Sequence, residues 1–346
     1  MDIASLTIDE LEKLFLQMGE KKFRAKQVYE WIHAKFAEDF LGMTNLPVAL
    51  RNELDKNCDI SSVKIEKKYE ALEDETVKYL FRMEKSTIIE SVLMKYSFGN
   101  SVCISSQAGC AMGCAFCHSG ENGLERNLSA YEMLAQIYRI WADIGERISN
   151  IVIMGSGEPL SNFDNVVKFA RIISSDEGAN IGKRHITLST CGIAPQIRKL
   201  ADTGLGLNLA LSLHASNDEI RRKLMPVAES FSMKETIAAC DYYAQKTGRR
   251  VTYEYALIKD INDGAHFAAE LAARLKGKLC HVNLIPVNEV PGKDFFRPSK
   301  KTIQAFNDIL NKNGVETTIR RELGSSVNAA CGQLKGAYNE ESRDAE

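Results

Sequence analysis

Ile151-Val152-Ile153-Met154-Gly155-Ser156-Gly157-Glu158-Pro159-Leu160 is the stretch that decides how this chain folds. Four apolar residues of strand character run into two glycines, a carboxylate and a proline, the way a buried strand ends and hands over to a helix. The pattern recurs along the chain. Short apolar runs at 101–107, 185–190, 207–213, 251–258 and 281–287, with a last one near 315–321, alternate with helical patterns at 129–145, 163–175, 232–246, 263–276 and 300–313. Such alternation implies repeated βα units around a parallel sheet. About six units predict an α/β chain curled into a partial (β/α)6-type barrel, with functional groups at the C-terminal ends of the strands.

Upstream of residue 99 the pattern changes twice. Thr7-Ile8-Asp9-Glu10 opens an amphipathic stretch, Phe23 to Phe36 is apolar at helical spacing, and Pro47 begins another short helix, so residues 1–60 predict a helical module. Val63-Lys64-Ile65-Glu66 and Val77-Lys78-Tyr79-Leu80-Phe81 alternate instead, so 61–98 predict a small antiparallel β extension. The barrel then occupies 99–335 and carries a C-terminal cysteine loop, followed by a polar tail at 336–346.

With 346 residues, 45% of them hydrophobic and 26% charged, the chain has enough apolar surface for a large core. No basic stretch followed by an apolar core opens the N-terminus, and no apolar run approaches the ~20 residues that span a bilayer, so we expect no membrane partner and a cytoplasmic enzyme. Nine cysteines, an odd number, point to free thiols and metal ligands in a reducing compartment. The net charge of -2 does not announce a polyanionic partner. Basic residues are nevertheless clumped, as at Lys21, Lys22, Arg24 and Lys26 or Arg221-Arg222-Lys223, so any electrostatic footprint is local.

Chemistry enters with Cys110-Ala111-Met112-Gly113-Cys114-Ala115-Phe116-Cys117. Three thiolates this close can hold a metal centre and leave one coordination position open. Structural zinc takes four protein ligands, and cubane clusters of electron carriers take four cysteines. Spacing of i, i+4 and i+7 would also fit the apolar face of a helix, but Gly109 and Gly113 each cost a helix about 1 kcal/mol relative to alanine. A wrapping loop fits better. A zinc site that borrows a fourth ligand such as His118 is the competing reading.

Several strands end in polar groups. Glu158 follows Gly157 and suits an ammonium through a charge-assisted hydrogen bond, while the neighbouring glycines would let a ligand approach the backbone. Ser189 ends one strand, Ser212, Leu213 and His214 another, and Asn288 a third; hydroxyl, imidazole and amide suit ribose and carboxylate oxygens.

The Cys-x3-Cys-x2-Cys spacing resembles the signature of radical S-adenosylmethionine (SAM) enzymes, whose 4Fe-4S cluster binds the cofactor at its open iron. The resemblance narrows to the RlmN/Cfr family of radical SAM RNA methyltransferases over nearly the whole chain. It is carried by Ser105-Ser106-Gln107-Ala108-Gly109-Cys110, Gly123-Leu124-Glu125-Arg126-Asn127-Leu128, Gly157-Glu158-Pro159-Leu160, Leu188-Ser189-Thr190, Arg221-Arg222-Lys223-Leu224-Met225-Pro226 and Ala329-Ala330-Cys331-Gly332-Gln333-Leu334. Pro159 and Arg320-Arg321-Glu322-Leu323-Gly324 resemble the RlmN branch. The resemblance implies methylation of carbon 2 of an adenine in 23S rRNA, and for RlmN-type members in certain tRNAs as well; carbon-8 methylation, as in Cfr, is the alternative.

Site roles follow from the resemblance. Cys110, Cys114 and Cys117 would hold the cluster, and Gly157, Glu158, Ser189, Ser212, Leu213, His214 and Asn288 would hold SAM. Cys331 would take a methyl from one SAM and a second SAM would supply the radical, two per turnover. The methylene carbon then joins adenine, tethering RNA to protein. Cys103 would attack the bridging sulfur and leave a transient Cys103–Cys331 disulfide that must be reduced. Glu90 matches the proton acceptor, with Cys103 a competitor for that role. Partners implied are 23S rRNA, tRNA and a low-potential electron donor such as flavodoxin or ferredoxin. The N-terminal module would bind RNA through Lys21, Lys22, Arg24 and Lys26.

Overall fold

The protein is described here from a computed structural model, which covers residues 1–83, 86–288, 292–321, 324–327, 329 and 333. Three antiparallel strands, β1 (Lys64–Glu70), β2 (Val77–Arg82) and β3 (Ile88–Tyr96), lead into β4 (Gly99–Ile104). A short antiparallel pair, β5 (Gln107–Gly109) and β6 (Leu124–Asn127), stands apart from the main sheet. From β4 onward the sheet is parallel and is extended by β7 (Ile148–Ile153), β8 (Ile186–Thr190), β9 (Asn208–Ser212), β10 (Val251–Leu257), β11 (Cys280–Pro286) and β12 (Thr317–Ile319). The order is β1-β2-β3-β4-β7-β8-β9-β10-β11-β12. The antiparallel extension is therefore no separate layer: β3 pairs with β4, and one ten-stranded sheet runs from hairpin to barrel.

Helices α1 (Ile8–Gln17), α2 (Lys22–His33) and α3 (Val48–Asn57) precede the sheet. The crossovers between parallel strands carry α4 (Ala130–Ile144), α5 (Phe163–Ile173), α6 (Ala194–Asp202), α7 (Asp218–Leu224) with α8 (Met233–Thr247), α9 (Ala265–Leu275) and α10 (Lys300–Lys312). Six crossovers of this kind make a (β/α)6 arrangement, as the alternation predicts. Local chemistry sets the helix ends. Ser129 with Glu132 and Ser232 with Glu235 form reciprocal capping boxes, and Gly145 (φ 67°) and Gly248 (φ 66°) terminate the same two helices in the left-handed region.

The strand period decides which residues reach solvent-excluded space on each side. Val102, Ile151, Leu188, Leu209, Leu211, Tyr253 and Leu284 face the helices in one continuous core. The opposite face is polar. Ser212, Glu254, Asn283 and Thr318 are register partners across β9 to β12 and form a row there. The N-terminal helices share the helix-side core: Phe36 stacks on Tyr138 at 4.5 Å, and His33 Nδ1 lies 3.1 Å from the Tyr138 hydroxyl.

Burial holds the His33 imidazole down to about 3 from its ordinary 6.5, and does the same to His214, where Arg221 adds to the effect. An unfolded chain protonates both near pH 6.5, the folded chain only near pH 3. The stability they contribute is whole above 6.5 and is lost as pH falls toward 3. We expect each to add about 1.4 kcal/mol per pH unit to the acid destabilisation in that window. Denaturant titrations from pH 7 to 4 should show a slope lowered by about one proton in His33→Phe.

Candidate active site

The three cysteines sit in the loop between β5 and β6, and no helix forms there. Pairing of Gln107 with Asn127 and Ala108 with Arg126 closes the loop at its base, and the Cys110 N–H donates to the Gly123 carbonyl at 2.9 Å. Gly109 has φ +72°, and a Cβ on it would meet the Gly123 oxygen at 2.1 Å, so no other residue fits. The far side of the loop is tied down as well. The Ala115 N–H donates to Leu224 of α7, and the Lys293 ammonium donates to the carbonyls of Ala115 (2.9 Å) and Cys117 (3.0 Å).

This construction yields a test. Gly109→Ala should open the base of the loop and sharply lower iron retained after anaerobic reconstitution. Gly123→Ala, at φ +69° but with nothing within 4 Å, should cost only the backbone penalty of about 1–2 kcal/mol. Equal iron in the two variants would contradict the account of the loop.

Cys110, Cys114 and Cys117 line one cleft at the C-terminal ends of the parallel strands, together with Gly157, Glu158, Ser189, Ser212, His214 and Asn288. Nine of the residues that sequence pointed to thus meet in one place. Leu213 does not join them; it is buried in the helix-side core, and its N–H donates to Glu254. Cys103 and Glu90 lie on the inner face of β4 and β3, outside the cleft lining. Cys331 falls outside the described residues, as do Glu322, Leu323 and the tail at 336–346. The eight described cysteines are free thiols and none pairs with another, so a disulfide has no support among them.

Glu158 is 3% exposed, and its carboxylate is anchored by the N–H groups of Cys191 (2.7 Å) and Leu160 (3.0 Å). Burial raises its pKa although these donors oppose the shift. An ammonium ligand would relieve that penalty. His214 sits at φ 55°, and its Nδ1 accepts from the Ala256 N–H at 2.9 Å. That acceptance assigns the proton to Nε2, so the neutral ring offers one donor. Phe116 of the cysteine loop packs edge-on against it at 4.9 Å.

The glycines before Glu158 have a packing cause as well. A Cβ on Gly155 would meet Ser105 Oγ at 2.7 Å, and one on Gly157 would meet Gln107 Cβ at 2.6 Å. The missing side chains make room for the β4–β5 turn, and both glycines also line the cleft. Glu254 and Lys293 escape a reading of the sequence, and Arg320 stands there only as part of a family motif, not as a site residue. Glu254 lines the cleft, accepts from Asn283 Nδ2 at 2.7 Å, and is raised by burial while Arg320 pulls the other way. Its only signal was a carboxylate in an otherwise apolar strand.

Burial pushes the Cys110 thiol up to about 11 and Cys114 to about 12. Thiols so placed keep their protons unless a metal replaces them. Among the described residues no three His, Cys, Asp or Glu side chains gather tightly enough to hold one ion, and His118 Nδ1 is engaged by Glu121 at 2.9 Å. The His118–Glu121 contact does not occupy Nε2, so it is the spread of the three thiols that disfavours a single zinc ion. A cubane fits better, because each cysteine takes a different iron and the sulfurs need share only a cleft. Arg221, fully buried behind the loop with Nη2 2.6 Å from the Cys191 carbonyl, supplies positive charge near Cys114.

Comparison with known proteins agrees with this chemistry. Residues 1–60 match the ribosomal RNA large subunit methyltransferase N-terminal domain, and residues 104–271 match the radical SAM superfamily. A probable dual-specificity RNA methyltransferase RlmN of Lachnoclostridium phytofermentans is 55% identical over 98% of this chain and 96% of its own length. The chain belongs to the RlmN family of radical SAM RNA methyltransferases. A second RlmN relative, from Alkaliphilus oremlandii, is 54% identical over 97% of each chain. The crystal structure of a radical SAM methyltransferase from Sphaerobacter thermophilus superposes with a TM-score of 0.92 at 43% identity, covering 97% of this chain and 99% of that one. RlmN membership implies a 4Fe-4S cluster and SAM, which the cleft fits. Among the described residues no helix is long and apolar enough to cross a membrane.

The basic clump of the N-terminal helices is far less free than its sequence suggested. Lys22 pairs with Glu12 (2.9 Å) and Lys26 with Glu177 (3.7 Å), while Arg24 donates to Gln27 (2.8 Å). Lys21 is exposed at the start of α2.

Proposed function

We propose that this chain methylates carbon 2 of an adenine in 23S rRNA and in tRNA, consuming two SAM molecules per turnover. The observation that carries the reading is the single cleft where three cysteines meet Glu158, Ser189, Ser212, His214 and Asn288. The three thiols would hold the cluster, leaving one position open to SAM. When bound, the cluster supplies the electron that cleaves SAM to a 5'-deoxyadenosyl radical.

The chain's own residues do the rest. Glu158 receives the ammonium of the methionine moiety, and the hydroxyls of Ser189 and Ser212 with the Asn288 amide meet ribose and carboxylate oxygens. The neutral His214 ring donates through Nε2. Cys331 carries the methyl carbon as a thioether, so that a carbon-carbon bond to adenine forms at the protein rather than in solution. Glu90, held beside Lys78, takes the ring proton, and Cys103 attacks the bridging sulfur to free the RNA, leaving a disulfide for reduction. The enzyme works in the cytoplasm with a flavodoxin- or ferredoxin-type donor, and the N-terminal module contributes phosphate contacts.

Mass spectrometry of adenine nucleosides from rRNA and tRNA treated with the reconstituted enzyme tests this. We expect 2-methyladenosine from both RNAs. Product at carbon 8 would replace the proposal with the alternative chemistry.

A further inference from the structure

The turn between β1 and β2 lies at the edge of the sheet, away from the cleft, yet the chain that carries Cys331 comes back to it. Asp74 Oδ2 accepts the Gly324 N–H at 2.7 Å across 250 residues of sequence, while its Oδ1 accepts the Thr76 N–H at 3.1 Å. Glu73 takes a second hydrogen bond from the Ser326 side chain. Gly324 is the pinch point: at φ +68°, a Cβ on it would lie 2.8 Å from Thr76 and 2.9 Å from Ala329. The turn is itself held in an unusual form, with Glu75 in the left-handed region at φ 56° and the Ala71 N–H closed onto Thr76.

Beyond the pinch the returning segment folds on itself. Ser325–Val327 make a 3-10 turn, and the Ala329 N–H donates to Gly324 at 2.9 Å. Ala329 then packs against the cluster of Val92, Met94 and Cys103 on the inner sheet face. A single residue, Ala330, separates Ala329 from Cys331 in sequence, a reach of at most about 7 Å. Gln333, two residues further on, is buried.

We propose that the β1–β2 turn moors the chain that leads to Cys331, with Asp74 as a positioning residue that holds Gly324 and, through it, Ala329 against Cys103. The inference rests on the reading of Cys331 as the methyl-carrying thiol. It gives the antiparallel extension a purpose in the reaction, since β1 and β2 contribute nothing to the cleft lining.

The test uses full-length, cluster-loaded enzyme with Asp74→Ala, Asp74→Asn and Gly324→Ala. Dibromobimane bridges thiols a few ångströms apart, and the Cys103–Cys331 bridge is read by peptide mass spectrometry. Asp74→Ala and Gly324→Ala should lower the bridging rate about tenfold, the factor expected for losing a hydrogen bond to a charged acceptor. Asp74→Asn keeps one of the two acceptor oxygens and no charge, and should fall between Asp74→Ala and the parent. Release of 5'-deoxyadenosine without RNA should be unchanged in all three. Bridging in Asp74→Ala as fast as in the parent overturns the mooring. Cys331→Ser is measured separately: retained RNA methylation would overturn the thiol reading itself, and lost methylation with unimpaired bridging in Asp74→Ala would overturn the mooring alone.

Discussion

Cys114→Ala is expected to abolish both iron retention and SAM cleavage while leaving the fold intact. The loop is closed by the β5–β6 ladder, by Ala115 on Leu224 and by Lys293, none of which uses a sulfur atom. The protein should therefore unfold at nearly the parent temperature in its metal-free state. Activity should fall below detection, because two thiolates cannot hold the cluster site that three define. The same loss is expected for Cys110→Ala and Cys117→Ala, whereas Cys280→Ala, a half-buried cysteine on β11, should load iron normally. Iron analysis together with thermal denaturation of the apo forms checks both halves of the prediction.

Lys78→Met is expected to give the largest loss of stability of any single change outside the apolar core. Lys78 is 1% exposed and Glu90 4%, and their charges are 3.7 Å apart on the inner face of β2 and β3. Register places Lys78 opposite Val92, and Val92 opposite Cys103, so the pair lies beside the thiol that the proposed function uses. Removing the ammonium leaves a buried carboxylate without that counter-charge, at a cost of about 3–5 kcal/mol. Replacing both residues, Lys78→Met with Glu90→Leu, should recover most of it, since an apolar pair of similar volume fills the same space without desolvated charge. Urea denaturation of the two singles and the double measures this directly. A stable, inactive double variant would also show that the pair is kept for chemistry and not for the fold.

The parallel strands were legible in sequence because each is buried on its helix side and reads as a short apolar run; β8, β10 and β11 fall within a residue or so of where those runs predict them. One strand was read too long. The run at 101–107 breaks at Ser105 and Ser106, where the Ser105 hydroxyl donates to the Glu90 carbonyl and accepts from the Ser156 N–H, turning the chain into β5. Helices α6 and α7 went unread. Residues Ala194–Asp202 lack a side-chain N-cap, and Asp218–Leu224 span only two turns, so each gives a weak signal in sequence.

The site was legible where a motif is contiguous and obscure where register assembles it. Cys110 to Cys117 and Gly157-Glu158 lie in single runs. Glu254 meets Ser212 and Asn283 only through strand pairing, and Lys293 reaches the cysteine loop from 176 residues away in sequence. Gly155 and Gly157 show the limit from the other side. Their residue type was readable, but whether the missing side chain admits a ligand or a neighbouring strand is a matter of packing.

The central claim is that three cysteines hold a cluster with one iron open to SAM. Anaerobic reconstitution followed by iron and sulfide analysis and by assay of 5'-deoxyadenosine under reducing conditions tests it most directly. The account predicts about four irons and four sulfides per chain and release of 5'-deoxyadenosine that vanishes in Cys114→Ala. A colourless protein that binds zinc through the same cysteines and leaves SAM whole would contradict it.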